Sequence, residues 1–160
     1  MNKLEKTLTE LFSYTEFAGH INPKVSAVSV GWHIEHSMLV VLKSIRSLSN
    51  SNPDQYRSDF NLIRFILLSL NRFPRGRGKA PDVVKPKEHE PSDLNLLYEK
   101  TKAAIEELGR LEDRQFFKHP VFGQLNRKNT IKFLEIHGRH HLSIIKDMVS
   151  KSKDSGKSSF

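Results

Sequence analysis

Apolar residues recur with helical spacing along most of the chain, and no segment shows a convincing strand pattern. This pattern predicts helices at about residues 2–17, 28–48, 54–71, from Ser92 onward, and 129–149. Clusters of Gly, Asn and Pro mark the connections between them. The third predicted helix is apolar on nearly all sides, so we expect it to be central in the core.

These elements predict an all-α fold, an antiparallel bundle of four or five helices in a single domain. The domain spans residues 1–150, and residues 151–160 form a flexible basic tail rich in Ser and Lys. The prolines and glycines of residues 72–91 predict a long loop, and loops of that length are often functional. Residues 116–123 are interpreted as an aromatic turn.

The composition bears on which partners and which cellular compartment suit the protein. The chain has 26 Lys and Arg against 18 Asp and Glu, a net charge of +8 that suits an anionic partner without identifying it. The absence of Cys excludes disulfides, thiolate metal ligands and a Cys nucleophile, and it fits a reducing cytoplasm. The pattern shows neither a signal peptide nor an apolar run long enough for a bilayer, so we expect a cytoplasmic protein without a membrane partner.

Histidines in the last predicted helix are the strongest chemical signal. Residues 137–141 read His-Gly-Arg-His-His. His137 and His141 are four residues apart, which places their Cβ atoms about 5–6 Å apart on one face of a helix. Both fall in the apolar stripe of that helix, where a polar ring is costly unless it is satisfied, whereas His140 falls on the flank. The pair can therefore point two imidazoles at one divalent metal ion.

A glycine lies between these histidines. Gly138 costs about 1 kcal/mol of helix propensity relative to Ala. Its position inside a helix therefore indicates that another element or a ligand approaches closely at this point.

A third ligand can come from the second helix. Residues 32–36 read Trp-His-Ile-Glu-His and supply His33 and His36. His36 points away from the main apolar face of that helix, so we expect it near the mouth of the bundle. Three neutral imidazoles would leave one coordination position open, as in catalytic zinc sites, although imidazole also suits nickel, copper and iron. The competing interpretation is that these histidines are core residues bonded to backbone carbonyls.

Three segments carry a resemblance to a known family. Residues 32–36, residues 119–125 (His-Pro-Val-Phe-Gly-Gln-Leu) and residues 137–142 resemble the DinB/YfiT-like superfamily of metal-dependent enzymes. The similarity covers roughly residues 3–150, and its most specific part is the His-Pro-x-x-Gly-x-Leu turn followed by a helix with His-x-x-x-His. Residues 73–81 also look like a feature of one branch, whose function is unassigned.

The resemblance implies a four-helix bundle of the DinB/YfiT-like type, with room for one extra short helix. It implies a three-histidine metal site formed by His36, His137 and His141, with His33 as the competing upstream ligand. Members of known activity bind zinc or nickel and use low-molecular-weight thiols, as transferases or as a thiol-dependent isomerase. For this chain it implies a metal-dependent thiol S-transferase or hydrolase-like enzyme with a thiol cosubstrate and a small-molecule substrate.

Further residues have proposed roles. Glu35 and His140 are candidate catalytic residues, as orienting groups or proton carriers. The basic loop residues Arg75, Arg77 and Lys79 are candidate binding residues for the carboxylate or phosphate of a cosubstrate, and a solvated basic loop explains them equally well.

Two alternatives and one partner stay open. The chain is alternatively a catalytically inactive DinB-like binding protein, or a basic-loop module that binds an anionic ligand or nucleic acid. Nucleic acid is the less favoured partner, because no predicted helix carries a basic stripe. A homodimer is also left open, since the pattern does not identify an interface.

Overall fold

The computed structural model describes residues 3–75, 82–86 and 93–154. These residues contain five α-helices, a two-stranded hairpin and three short 3-10 helices. The predominantly helical class is confirmed, and the hairpin is an addition that the sequence pattern did not predict. The elements are α1 (Lys3–Phe12), α2 (Val30–Ser49), α3 (Leu62–Leu70), α4 (Leu94–Leu108), β1 (Phe116–His119), β2 (Gly123–Asn126) and α5 (Arg127–Asp154), with 3-10 helices at Thr15–Phe17, Pro53–Gln55 and Asp82–Val84.

Side-chain caps determine where the helices begin. The Ser29 hydroxyl accepts a hydrogen bond from the Trp32 amide at 3.1 Å and caps α2. The Asn61 side chain caps α3, which therefore begins well inside the helix predicted at residues 54–71. Asp93 caps α4, whereas the predicted cap Ser92 lies outside the described residues.

The core lies between α1, α2, α4 and α5. α2 packs against both α4 and α5, and α1 packs against α5. Each of these helices contributes one apolar stripe, as the helical spacing predicts. Fully buried members include Leu4, Leu8 and Leu11 of α1, Ile34, Met38, Ile45 and Leu48 of α2, and Leu134, Ile145 and Met148 of α5.

The prediction that the third helix is central in the core is wrong. α3 lies at the surface, and no residue in it is buried. It is held largely by polar contacts at its start, where Arg64 donates to the carbonyl oxygens of Phe122 and Gln124, at 3.0 Å each. The stripes of the other helices already fill the core, so the apolar composition of α3 does not bring it inside.

The predicted aromatic turn is a β-hairpin. Phe117 of β1 pairs with Leu125 of β2, and both side chains are buried. Gly123 turns the chain with a φ of 68°, and a Cβ atom there would lie 3.1 Å from a carboxylate oxygen of Asp59. The His-Pro-x-x-Gly-x-Leu motif therefore forms the end of β1, the turn and most of β2.

The last helix is longer than predicted. α5 continues to Asp154, beyond the predicted end at residue 149 and into the first part of the predicted tail. Residues 155–160 of that tail, and residues 76–81 and 87–92 of the loop region, lie outside the described residues. Among the helices that the structure describes, none has both the length and the apolar composition that crossing a bilayer requires.

Candidate metal centre

Packing of α2 against α5 brings three histidines together. His36 comes from α2, and His137 and His141 come from consecutive turns of α5. Their ring centroids lie 4.5 to 5.1 Å apart. One ring nitrogen from each lies within 4.8 Å of the others, so the three form a group that can hold a metal ion.

The donor set fits a divalent metal ion. Ligands on one tetrahedral zinc at 2.0–2.1 Å lie about 3.4 Å apart, so small side-chain rotations must bring these nitrogens together. The group contains no carboxylate, and a bound metal would therefore keep its full positive charge. His36 and His141 are buried, whereas His137 is only half-buried. His137 is thus the least buried of the three rings, and a substrate could approach a bound metal ion beside it.

The His36 ring is held in the tautomer that binds a metal. Its Nδ1 lies 2.8 Å from the Val84 carbonyl oxygen. Because a carbonyl only accepts, Nδ1 carries the proton, and Nε2 presents its lone pair. Trp32 stacks on the other side of the ring, with centroids 4.8 Å apart. The expectation that His36 lies at the mouth of the bundle is therefore wrong, since the Asp82–Val84 segment and Trp32 cover it.

His33 serves His141 instead of joining the ligand group. The Nδ1 atoms of His33 and His141 are 2.9 Å apart, and His33 Nε2 lies 2.9 Å from the Ser26 hydroxyl oxygen. If His141 offers Nε2 to a metal, its Nδ1–H donates to His33, and His33 in turn donates Nε2–H to Ser26. The structure thus distinguishes the two upstream candidates, because His36 lies in the three-histidine group and His33 lies outside it, in contact with His141.

Burial keeps these imidazoles neutral. Loss of solvation lowers the pKa of His36 below its usual value, although its hydrogen bond to Val84 opposes that shift. Burial and the neighbouring histidines hold the pKa values of His137 and His141 well below 6.5. Burial lowers the pKa of His33 to about 4. Neutral imidazole is the form that binds metals, so the rings are ready at pH 7 without losing a proton.

The two predicted catalytic residues differ in what the structure shows of them. His140 lies outside the three-histidine group, as its flank position predicts, with its ring 5.2 Å from that of His141. It hydrogen-bonds the Phe73 backbone, and burial and the charge of Arg75 lower its pKa. Glu35 is buried on α2 next to His36. A catalytic role for either residue stays a prediction.

Aromatic side chains form a wall beside His137. The Phe133 ring lies 5.7 Å from the His137 ring and contacts the rings of Phe117 in the hairpin and of Phe73, which follows α3. His119 belongs to this wall: it stacks on Phe122 at 4.4 Å, and its Nδ1 accepts the amide hydrogens of Val121 and Phe122. His119 therefore lies at a turn, as the His-Pro-x-x-Gly-x-Leu motif predicts. The sequence pattern did not predict this aromatic wall, although the aromatic residues around position 117 could have indicated it.

The described part of the basic loop makes an ion pair. Arg75 donates to Asp147 on α5 at 2.6 Å and also to the Ser143 hydroxyl. Its guanidinium is thus partly neutralised by the protein's own carboxylate. Arg77 and Lys79 lie outside the described residues.

Comparison of the chain with protein-family models, curated proteins and solved structures found no match. The geometry of the three histidines and their surroundings is therefore the structural feature that bears most directly on function. That geometry agrees with the ligand set that the sequence resemblance implies.

Proposed function

We propose that this protein is a divalent-metal-dependent enzyme of the DinB/YfiT-like type, acting as a thiol S-transferase. The observation that carries the proposal is the convergence of His36, His137 and His141 from two packed helices. An all-imidazole set with room for a further ligand is typical of catalytic sites, whereas structural zinc sites are closed by four protein ligands. The thiol chemistry follows from the resemblance alone.

In this proposal His36, His137 and His141 hold zinc or nickel. A metal bound there would lower the pKa of a thiol or a water molecule at the open position, which generates a nucleophile near neutral pH. Because the chain contains no Cys, the thiol must belong to a low-molecular-weight cosubstrate. Phe133 gives the site an apolar boundary beside His137.

The flanking residues are proposed to move protons. His140 lies against His141, and burial lowers its pKa, which favours the neutral ring that could accept the proton of the cosubstrate thiol. Glu35 is the second candidate, next to His36 on α2. The Arg75 ion pair with Asp147 places a cation near His140, where an anionic cosubstrate can displace the carboxylate.

Metal content tests the core of the proposal. We expect one zinc or nickel ion per chain after metal loading and gel filtration, measured by elemental analysis. His36→Ala, His137→Ala and His141→Ala should each lower metal affinity at least about 100-fold. His20→Ala is the matched control, because His20 contacts the Met148 carbonyl and is not in the group. Wild-type protein that binds neither metal would refute the proposal.

A second experiment separates an enzyme from an inactive binding protein. In the cobalt-substituted protein, a low-molecular-weight thiol that enters the coordination sphere should produce a thiolate-to-cobalt charge-transfer band. His140→Gln should retain metal and shift the pH at which the band appears towards higher values. If no thiol changes the spectrum of the cobalt protein, the thiol transferase is excluded, whereas the metal site itself is not contradicted.

A further inference from the structure

α3 turns an apolar face towards solvent. Its side chains can be placed on a helical projection with 3.6 residues per turn. Those directed at the rest of the protein are Arg64, Leu67 and Leu68, all partly buried. Those on the opposite arc of about 160° are all exposed. These are Leu62, Ile63, Phe65, Ile66, Ser69 and Leu70.

This face is too large for an ordinary monomer surface. Its five apolar side chains and the preceding Phe60 are each between 43% and 78% exposed, and the Phe60 and Phe65 rings are in contact, 6.2 Å apart. If a fully exposed side chain of this size presents about 200 Å², the six together expose roughly 700 Å². The largest apolar patch of a monomer is about 300–600 Å², whereas each partner in a stable interface buries about 800 Å².

The rest of the chain offers little to cover it. The segments outside the described ranges are residues 1–2, 76–81, 87–92 and 155–160. Their only large apolar side chains are Met1 and Phe160, and the remaining residues are mostly Gly, Pro, Ser and charged residues. Such segments cannot bury six large apolar side chains. These segments therefore supply too few apolar side chains to cover the face.

We propose that the α3 face is a homodimer interface, formed by α3 of one chain packing on α3 of a second copy. The exposed arc carries no charged side chain, so two identical faces can meet without like-charge contact. A two-fold axis through the arc would pair each face with itself, the commonest symmetry of soluble oligomers. The groove beside α3 continues the apolar surface through Phe65, Leu68 and Ile131, and on α5 it is bordered by the charged residues Lys128, Lys132 and Glu135. The face therefore has a polar rim, as is usual for an interface.

Apolar association also predicts a salt response. Two chains of net charge +8 repel each other at long range, and added salt screens that repulsion. The proposed dimer should therefore persist or tighten as salt rises. An assembly bridged by nucleic acid would dissociate instead.

Sedimentation velocity and light scattering on the full chain test the proposal. We expect wild type to be dimeric at micromolar concentrations, in low and high salt, with or without metal. Ile66→Glu should raise the dimer dissociation constant by about 100-fold or more, because it buries an unpaired charge at the centre of the face. Leu96→Glu on α4 is the matched control, since Leu96 is also an exposed apolar helix residue, and it should stay dimeric.

Circular dichroism checks that each variant is folded. If Ile66→Glu does not fold, the milder double variant Leu62→Ser with Leu70→Ser provides the same measurement, because both side chains are more than half exposed. A monomeric wild type overturns the proposal, as does a dimer that the α3 variants leave intact. A monomer that cosediments with phosphatidylcholine–phosphatidylserine vesicles also overturns it, and would assign the face to lipid.

Discussion

Hydrogen bonds to the rings of His33, His36 and His141 distinguish the parts these histidines play in the centre. His36 gives Nδ1–H to a backbone carbonyl and keeps Nε2 for a metal, whereas His33 joins Ser26 to His141. The two residues are less than one helical turn apart on α2, so helical spacing alone favours neither as the ligand. What distinguishes the two is a hydrogen-bond partner from a distant part of the chain, which is Val84 for His36 and His141 for His33.

The role of His33 leads to a prediction about metal affinity. His33→Ala should weaken metal binding about 10–100-fold while one metal ion per chain still binds at saturation, because the ligand His141 loses its orienting partner. His33→Asn should recover part of the affinity, since its amide oxygen can accept the His141 Nδ1–H. Competition with a chelating dye measures both constants.

Two outcomes would contradict this assignment. Loss of all stoichiometric metal in His33→Ala would make His33 a ligand, and an unchanged affinity would make its contact with His141 irrelevant. His20→Ala again serves as the control for removal of a histidine that is outside the group.

Close packing between helices explains the glycine of α5. A Cβ atom on Gly138 would lie 3.0 Å from the Thr7 methyl carbon of α1. The Thr7 hydroxyl donates to the Lys3 carbonyl at 2.9 Å, which holds the side chain in place. The close approach expected from the sequence is confirmed, and the approaching element is α1.

We expect Gly138→Ala to destabilise the wild-type protein by about 1 kcal/mol. Overpacking against the Thr7 methyl costs about 1–3 kcal/mol and outweighs the roughly 1 kcal/mol gained in helix propensity. In a Thr7→Ser background the methyl is absent, so the same substitution should stabilise by about 1 kcal/mol. Urea unfolding of the four proteins measures the coupling, and equal effects in both backgrounds would show that Thr7 is not the obstacle.

Burial in the folded protein lowers the pKa of the clustered histidines. Burial lowers the pKa of His33 and of His119 to about 4, and the pKa values of His36, His137 and His141 are also lowered. In the unfolded chain each would titrate near 6.5. Between these values the unfolded chain binds more protons than the folded one, so stability falls as the pH falls.

The free energy of unfolding of the metal-free protein should therefore decrease steadily from about pH 7 to pH 4. His33 alone contributes on the order of 3 kcal/mol to this loss, since its pKa differs by about 2.5 units between the two states. Urea unfolding at a series of pH values in chelator measures the slope. His33→Ala should give a shallower slope, and a flat profile for wild type would contradict the buried neutral state of the cluster.

Local sequence was sufficient for part of this molecule. Helical periodicity predicted most of the helices. It also predicted that His137 and His141 share one face of the last helix and that His140 lies on its flank. These features depend on one helix at a time, and the period of a helix is set by its own backbone geometry. The resemblance added His36, and the structure brings it to the pair.

Tertiary packing decided the rest. α3 is apolar yet lies outside the core, the aromatic turn is a hairpin, and His36 is buried by a segment 48 residues further along the chain. In each case the outcome depends on which surfaces meet. Periodicity measures how apolar a face is, but burial also requires a neighbour, and that neighbour comes from a distant part of the chain or, for α3 as proposed, from a second copy.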